Sequence, residues 1–269
     1  MSPASPPHLG DRLALLTSDG ERLEAVHVAG LSAERPLAVV VAHGFTQSIA
    51  RPGVRDVLAA FSTYAGVVGF DFRGHGRSSG RSTLGHREVL DLDAAVLAAR
   101  GLGYSDVVSC GWSMGGSVVV RHAALHGGVD AVISVSGPSR WYYKDTAAMR
   151  RVHWAIETRL GRLIARGALR TRISPLGWDP LAPPESPVEV VARISPIPLL
   201  IVHGDRDHYF PIDHAQALYE AAREPKELWL IEGFAHAETA ATPELLDRIG
   251  AHLGPLVARG QGRQSSQGR

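Results

Sequence analysis

In the stretch 106–117, D-V-V-S-C-G-W-S-M-G-G-S, an apolar β-branched run meets Gly111-Trp112-Ser113-Met114-Gly115 and then turns helical. A serine held between glycines at a strand-to-helix turn stands clear of its neighbours, where its hydroxyl can attack a carbonyl carbon. The glycines let strand and helix approach, and the first amides of the helix face any anion formed at Ser113. A hydroxyl is a poor nucleophile near neutral pH. It needs a base within hydrogen-bond reach and an acid that fixes the tautomer of that base. His236, in Gly233-Phe234-Ala235-His236, and Asp207, in His203-Gly204-Asp205-Arg206-Asp207, are residues of the required types. Asp205 is the rival acid; the Gly-x-x-Asp spacing favours Asp207 and leaves Asp205 to cap its loop. Taken alone, Gly-x-Ser-x-Gly is also an ordinary flexible turn. His203, Asp205, Asp207 and His208 likewise have the chemistry of metal ligands, but no second His/Asp cluster completes such a site.

These side chains can meet only if the elements around them bring their loops to one edge. Residues 12–17 and 21–28 flank Ser18-Asp19-Gly20, a hairpin signal. The run 36–42 is apolar throughout, as in a strand covered on both faces, and it ends at His43-Gly44-Phe45. A helix is predicted over 55–64, then a buried strand over 65–70 that runs into the charged, glycine-rich loop 71–78. Val89, Leu92, Val96 and Ala99 recur at helical spacing in 88–100, with Gly101 and Gly103 to stop that helix. After the turn at Ser113 a helix is expected to Leu125, burying Val118, Val119, His122 and Ala123, and then a strand over 129–135. Alternation is interrupted over 137–196 and resumes with strands at 197–202 and 227–231 and helices at 212–223 and 243–256. An antiparallel hairpin followed by strand-helix units implies one α/β domain, 12–258. Its mostly parallel, eight-stranded sheet carries helices on both faces. Segments 1–11 and 259–269 are expected to be disordered. In open sheets of this kind ligands bind beyond the carboxyl ends of the strands, where 43–45, 71–78, 111–115, 203–211 and 232–238 all fall.

With these motifs in this order, the chain from about Leu13 to Leu256 resembles the α/β-hydrolase fold family, most nearly its monoacylglycerol lipase-like esterases and serine aminopeptidase-like hydrolases. The resemblance matches His43-Gly44-Phe45 to the oxyanion loop, 71–78 to the D-x-R-G-x-G-x-S turn and Ser113, Asp207 and His236 to the triad in its usual chain order. It implies acyl transfer to Ser113 and then to water, with the oxyanion met by the backbone amides of Phe45 and Met114. The insertion 137–196 then stands where the family often places a cap. Trp112 departs from the histidine often found beside the nucleophile in lipases. His43, His75, Asp71 and Arg73 are expected to tie the rim together. The substrate implied is a small or medium-chain carboxylic ester. The same triad also serves thioesterases, aminopeptidases, carbon-carbon bond hydrolases and perhydrolases, and a non-catalytic small-molecule-binding protein on this fold is the reading from another class.

Composition narrows the partners. The 269 residues hold 28 Lys plus Arg against 27 Asp plus Glu, so nothing in the net charge calls for nucleic acid. The single cysteine, Cys110, can form no intrachain disulfide and reads as a small core residue. No cofactor and no metal is called for. No apolar run approaches membrane-spanning length and no leader pattern opens the chain, so the expectation is a cytoplasmic protein without stable membrane insertion. Within the cap, Met149, Val152, Ile156, Leu160, Leu163 and Gly167 are spaced as one apolar stripe of an amphipathic helix. Arg151, Arg159, Arg162, Arg166 and Arg170 lie beside it, able to contact an anionic surface, greet an acidic substrate, or simply form the solvated side of a helix docked on the sheet. Trp141, Tyr142 and Trp154, with Tyr143, are the candidate substrate-binding residues of the cap, able to line an acyl pocket beneath it or equally to hold the cap down.

Overall fold

Strand β3 (Leu37–Ala42) sets the centre of the sheet, and every one of its residues is buried. Successive side chains of a strand point to opposite faces: Ala38 and Val40 enter one core, Val39 and Val41 the other. A computed structural model of the chain describes residues 10–30, 36–175 and 183–267. In it β4 (Gly66–Phe70), β5 (Asp106–Trp112), β6 (Ala131–Val135) and β7 (Leu199–Gly204) are buried in the same way, save for the half-buried Asp106 that opens β5. The hairpin β1 (Asp11–Leu16) and β2 (Arg22–Val28) and the edge strand β8 (Lys226–Ile231) complete an eight-stranded sheet in the order β1-β2-β4-β3-β5-β6-β7-β8. β2 is antiparallel to both neighbours, and the pairs from β4 to β8 are parallel. This is the α/β architecture expected from the sequence.

Helices α1 (Pro52–Phe61) and α8 (Pro243–Gln267) cover one face, bringing Val54, Val57, Leu245 and Ile249 into one core. Helices α2 (Glu88–Gly101), α3 (Met114–Leu125) and α7 (Asp213–Ala221) cover the other, with Leu92, Val118 and Leu218. Cys110 is buried in the first of these cores, where burial pushes its thiol pKa up. Helix α1 starts three residues before the predicted 55, because Pro52 suits a first turn: its φ is preset and no amide is lost there. At the other end, 259–267 is not a disordered tail but the last turns of α8. Arg259 pairs with Glu227, Gln261 donates to Asp106 Oδ1 at 3.1 Å, and Val257 anchors the stretch in the core. Of the disorder expected over 1–11, residues 1–9 fall outside the described residues, and Asp11 already belongs to β1.

Between β6 and β7 lie α4 (Ala147–Glu157), α5 (Arg159–Ala168), α6 (Pro187–Val190) and a 3-10 turn, Val191–Arg193. The continuous amphipathic helix predicted through 149–167 is two helices. Thr158 is extended, with φ −96° and ψ 149°, and its side chain accepts from the Gly161 amide at 2.9 Å, so it ends α4 and caps α5. Breaking the helix there splits the stripe: Met149, Val152 and Ile156 face a cavity, whereas Leu160 and Leu163 are exposed.

Candidate active site

The chain steps from β3 to β4 on one side and to β5 on the other, so the strand order reverses at β3 and β5. Loops at such a reversal diverge and leave a crevice. Ser113 is the single residue between β5 and α3, with φ 52° and ψ −116°, a conformation that costs a residue with a Cβ about 1–3 kcal/mol. Two hydrogen bonds hold it there: its amide donates to the Val135 carbonyl at 2.9 Å, and its carbonyl accepts from Ser117 at 3.2 Å. The close approach demands glycine. A Cβ on Gly115 would lie 2.1 Å from the Ala42 carbonyl oxygen, and one on Gly111 2.1 Å from that of Gly115.

The Ser113 hydroxyl donates to His236 Nε2 at 2.9 Å, and His236 Nδ1 donates to Asp207 Oδ2 at 2.7 Å. A proton on Nδ1 is the tautomer that satisfies both bonds. The other oxygen of Asp207 accepts the amides of Tyr209 and Phe210 at 2.9 and 3.0 Å. Burial alone would raise the pKa of this carboxyl; the hydrogen bond and charge of His236, with the Phe210 amide, outweigh burial and hold it below its ordinary value. Asp205 is exposed and accepts the Gly233 amide at 2.7 Å, which ties the loop after β7 to the loop after β8. His203 is buried and donates from Nε2 to the Phe210 carbonyl at 2.8 Å. His203, Asp205 and Asp207 are thus each held by hydrogen bonds within or between these loops.

The loop after β3 is pinned by buried groups. Burial lowers the pKa of His43, which is neutral: Nδ1 donates to the Gly44 carbonyl at 2.7 Å and Nε2 accepts the Phe72 amide at 3.2 Å. Asp71 accepts the Ile49 amide at 2.7 Å, and burial pushes its carboxyl up to about 6 against the pull of that bond. Arg73 reaches Asp91 and, in the hairpin turn, Asp19. Its hydrogen bonds draw the Asp19 pKa down to about 2. These residues tie the rim together and are not part of the cavity wall described below.

The amides of Phe45 and Met114 make no hydrogen bond to any described residue, and both residues line the cavity over Ser113. One residue at this site was not singled out from the sequence. Glu238, two positions past His236, is buried, and its Oε1 accepts the Gly44 amide at 2.9 Å. It thereby locks the loop before Phe45 to the loop that carries His236. The segment 232–238 marks this glutamate only as a loop acid, and such residues usually face solvent.

The cavity measures about 690 Å³, within the usual range for small-molecule sites. Ser113 and His236 lie in its wall with Phe45, Met149, Val152 and Ile156. Trp141, Tyr142 and Tyr143 also line it, and Trp141 donates from its indole nitrogen to the Pro184 carbonyl at 2.7 Å, bracing the cap. Trp154, expected beside them, does not. Val152, Ala155 and Ile156 of α4 face the cavity, so Trp154 falls on the other side of the helix and is exposed. Tyr209 and Phe210, from the loop that carries Asp207, join the wall; Tyr209 lies against His236 with ring centroids 4.4 Å apart.

Among curated proteins the chain is similar to uncharacterized protein YfhR of Escherichia coli, 48% identical over 48 residues, and that match spans 18% of this chain and 17% of YfhR. It is also similar to uncharacterized protein YqkD of Bacillus subtilis, 26% identical over 81% of this chain and 70% of that one. Among solved structures it superposes on the Pyrococcus furiosus esterase Pf2001 with a TM-score of 0.71 and 23% identity, over 92% of this chain and 91% of that one. Est1E of Butyrivibrio proteoclasticus, solved with ferulic acid bound, gives a TM-score of 0.66 and 22% identity, over 91% of this chain and 99% of that one. At these identities the superpositions speak for the fold. A family model described as alpha/beta hydrolase fold matches residues 38–183, more than half of the sequence, and on that match the chain belongs to the α/β-hydrolase fold family.

Proposed function

We propose that the chain is a serine hydrolase that cleaves a small or medium-chain carboxylic ester through an acyl-enzyme on Ser113. The observation that supports this most is the unbroken series of hydrogen bonds from Ser113 through His236 to Asp207, at the wall of an apolar cavity and beside two unengaged amides. His236 Nε2 takes the hydroxyl proton as Ser113 Oγ bonds to the ester carbon, and Asp207 stabilises the imidazolium without taking the proton itself. Negative charge gathers on the former carbonyl oxygen, which the Phe45 and Met114 amides receive. The tetrahedral adduct then collapses, the carbon-oxygen bond to the alcohol breaks, and the alcohol leaves with the proton from Nε2. Water enters, gives a proton to His236 and attacks the acyl carbon; Ser113 departs with that proton and the acid is released. The esterase name of the Pyrococcus structure agrees with this chemistry.

The test is labelling by a fluorophosphonate probe together with hydrolysis of p-nitrophenyl esters of graded chain length. Wild type is expected to be labelled and to turn over short and medium esters, and Ser113→Ala to do neither. Absence of labelling from wild type as well would give the cavity to a binding protein. Labelling with turnover of amides or thioesters but not oxygen esters would move the substrate class.

A further inference from the structure

Helix α5 packs through its small residues and leaves its large ones in solvent. Gly161 and Ala165 are its buried positions, and a Cβ on Gly161 would lie 2.5 Å from Ala155 Cα, so α4 and α5 meet nearly backbone to backbone. Leu160, Leu163 and Ile164 are 59%, 64% and 47% exposed. At 100° per residue they share a stripe roughly 100° wide, and Arg159, Arg162 and Arg166 form the stripe next to it. Trp154 on α4 is a further exposed aromatic, at 46%.

Charge says what could cover this face. From 147 to 170 the cap holds Arg150, Arg151, Arg159, Arg162, Arg166 and Arg170 against one carboxylate, Glu157, in a chain whose net charge is only +1. Glu157 is already engaged by Lys144 at 2.6 Å and His153 at 3.0 Å. Arg159, Arg166 and Arg170 make no ion pair or hydrogen bond with any described residue. A large apolar stripe in solvent marks an interaction surface; although Arg162 in the neighbouring row donates to the Ile156 and Glu157 carbonyls, the side chains of Arg159, Arg166 and Arg170 have no carboxylate of a described residue opposite them, which fits a partner dense in negative charge.

We propose that this face of the cap docks on an anionic lipid surface, with Leu160, Leu163 and Ile164 entering the headgroup layer and the arginines meeting lipid phosphates. A second copy of the chain is the poorer occupant, because a two-fold contact would set the arginine row against itself. A bilayer offers an apolar layer beneath a sheet of negative charge, the order in which α5 presents its two stripes. α4, on which α5 rests, forms a wall of the cavity through Val152, Ala155 and Ile156, so docking sets that wall beside the lipid.

Docking does not depend on the hydrolytic chemistry, so it is measured on wild type and on Ser113→Ala alike, by sedimentation with vesicles of phosphatidylcholine alone or with about a third phosphatidylglycerol. Both proteins are expected to bind the anionic vesicles, and to bind neutral ones about tenfold more weakly, as they also should at raised salt. Leu160→Ser/Leu163→Ser/Ile164→Ser and Arg159→Gln/Arg166→Gln/Arg170→Gln should each weaken anionic binding about tenfold or more while keeping the wild-type unfolding midpoint. No wild-type binding at low salt would overturn the proposal, as would undiminished binding by the leucine variant. A dimer that dissociates on the leucine substitutions, without vesicle binding, would give the face to a second copy and also overturn it.

Discussion

Asp205 and Asp207 show how two like residues in one loop divide their work. Asp207→Asn keeps an oxygen for the Tyr209 and Phe210 amides but removes the anion that faces His236. Its kcat on a p-nitrophenyl ester is expected to fall about 10⁴-fold with little change in KM. Asp205→Ala loses only the bond to the Gly233 amide; it should lower unfolding stability by about 1 kcal/mol and cost activity less than tenfold. Glu238 acts through the loop it holds. Glu238→Ala leaves the buried Gly44 amide unpaired and frees the loop before Phe45, so kcat should drop about ten- to a hundredfold while KM moves little, and Glu238→Gln, which keeps an acceptor, should recover most of it. Equal losses in the two variants would count against a positioning role. At this scale the three side chains that the structure joins by hydrogen bonds, Ser113, His236 and Asp207, could be picked out in the sequence, because a serine nucleophile would demand those types on loops at strand ends. Glu238 could not: what makes it matter is burial against Gly44, a residue 194 positions away.

At the scale of elements, legibility followed the hydrophobic pattern. β3 and β4 are apolar from end to end because both faces are covered, and such runs stand out in any sequence. What the pattern hid was where a helix breaks or turns. The spacing from Met149 to Gly167 suits one helix, yet Thr158 followed three residues later by Gly161 makes a cap that an apolar count does not register. Nor does periodicity say that α5 packs by glycine and alanine instead of leucine. The elbow makes its own prediction. Gly115→Ala puts a methyl group against the Ala42 carbonyl, where neither strand nor helix can yield, and urea unfolding should find it destabilised by about 3 kcal/mol or more. Gly101→Ala, at the end of α2 with nothing within 4 Å, should instead stabilise by about 0.5–1 kcal/mol.

The molecule as a whole carries buried histidines that set its response to acid. Burial lowers the pKa of His75 to about 3, and of His122 and His214 to about 4. In the unfolded chain these groups take up protons below about 6.5, whereas in the folded one they resist until far lower. The unfolded state therefore binds more protons as pH falls through that window, and stability is lost from about pH 6.5 downward. Each group contributes up to about 2 kcal/mol of loss between pH 7 and 5. Asp71 and Asp91 work the other way, since carboxyls raised by burial to about 6 and about 7 favour the fold as they protonate, but these two offset only part of what the three histidines lose. The urea midpoint is expected to be clearly lower at pH 5 than at pH 7, and His75→Gln, if it folds, to narrow the difference; a midpoint indifferent to pH would contradict the burial argument.

Ser113, the proposed nucleophile, lies at the end of β5 in mid-chain, while Asp207 follows β7 and His236 follows the edge strand β8. A ribosome making this protein would expose Ser113 long before His236 existed to activate it. On the mechanism proposed above, the nascent chain would thus stay chemically silent toward esters until its last strand had docked.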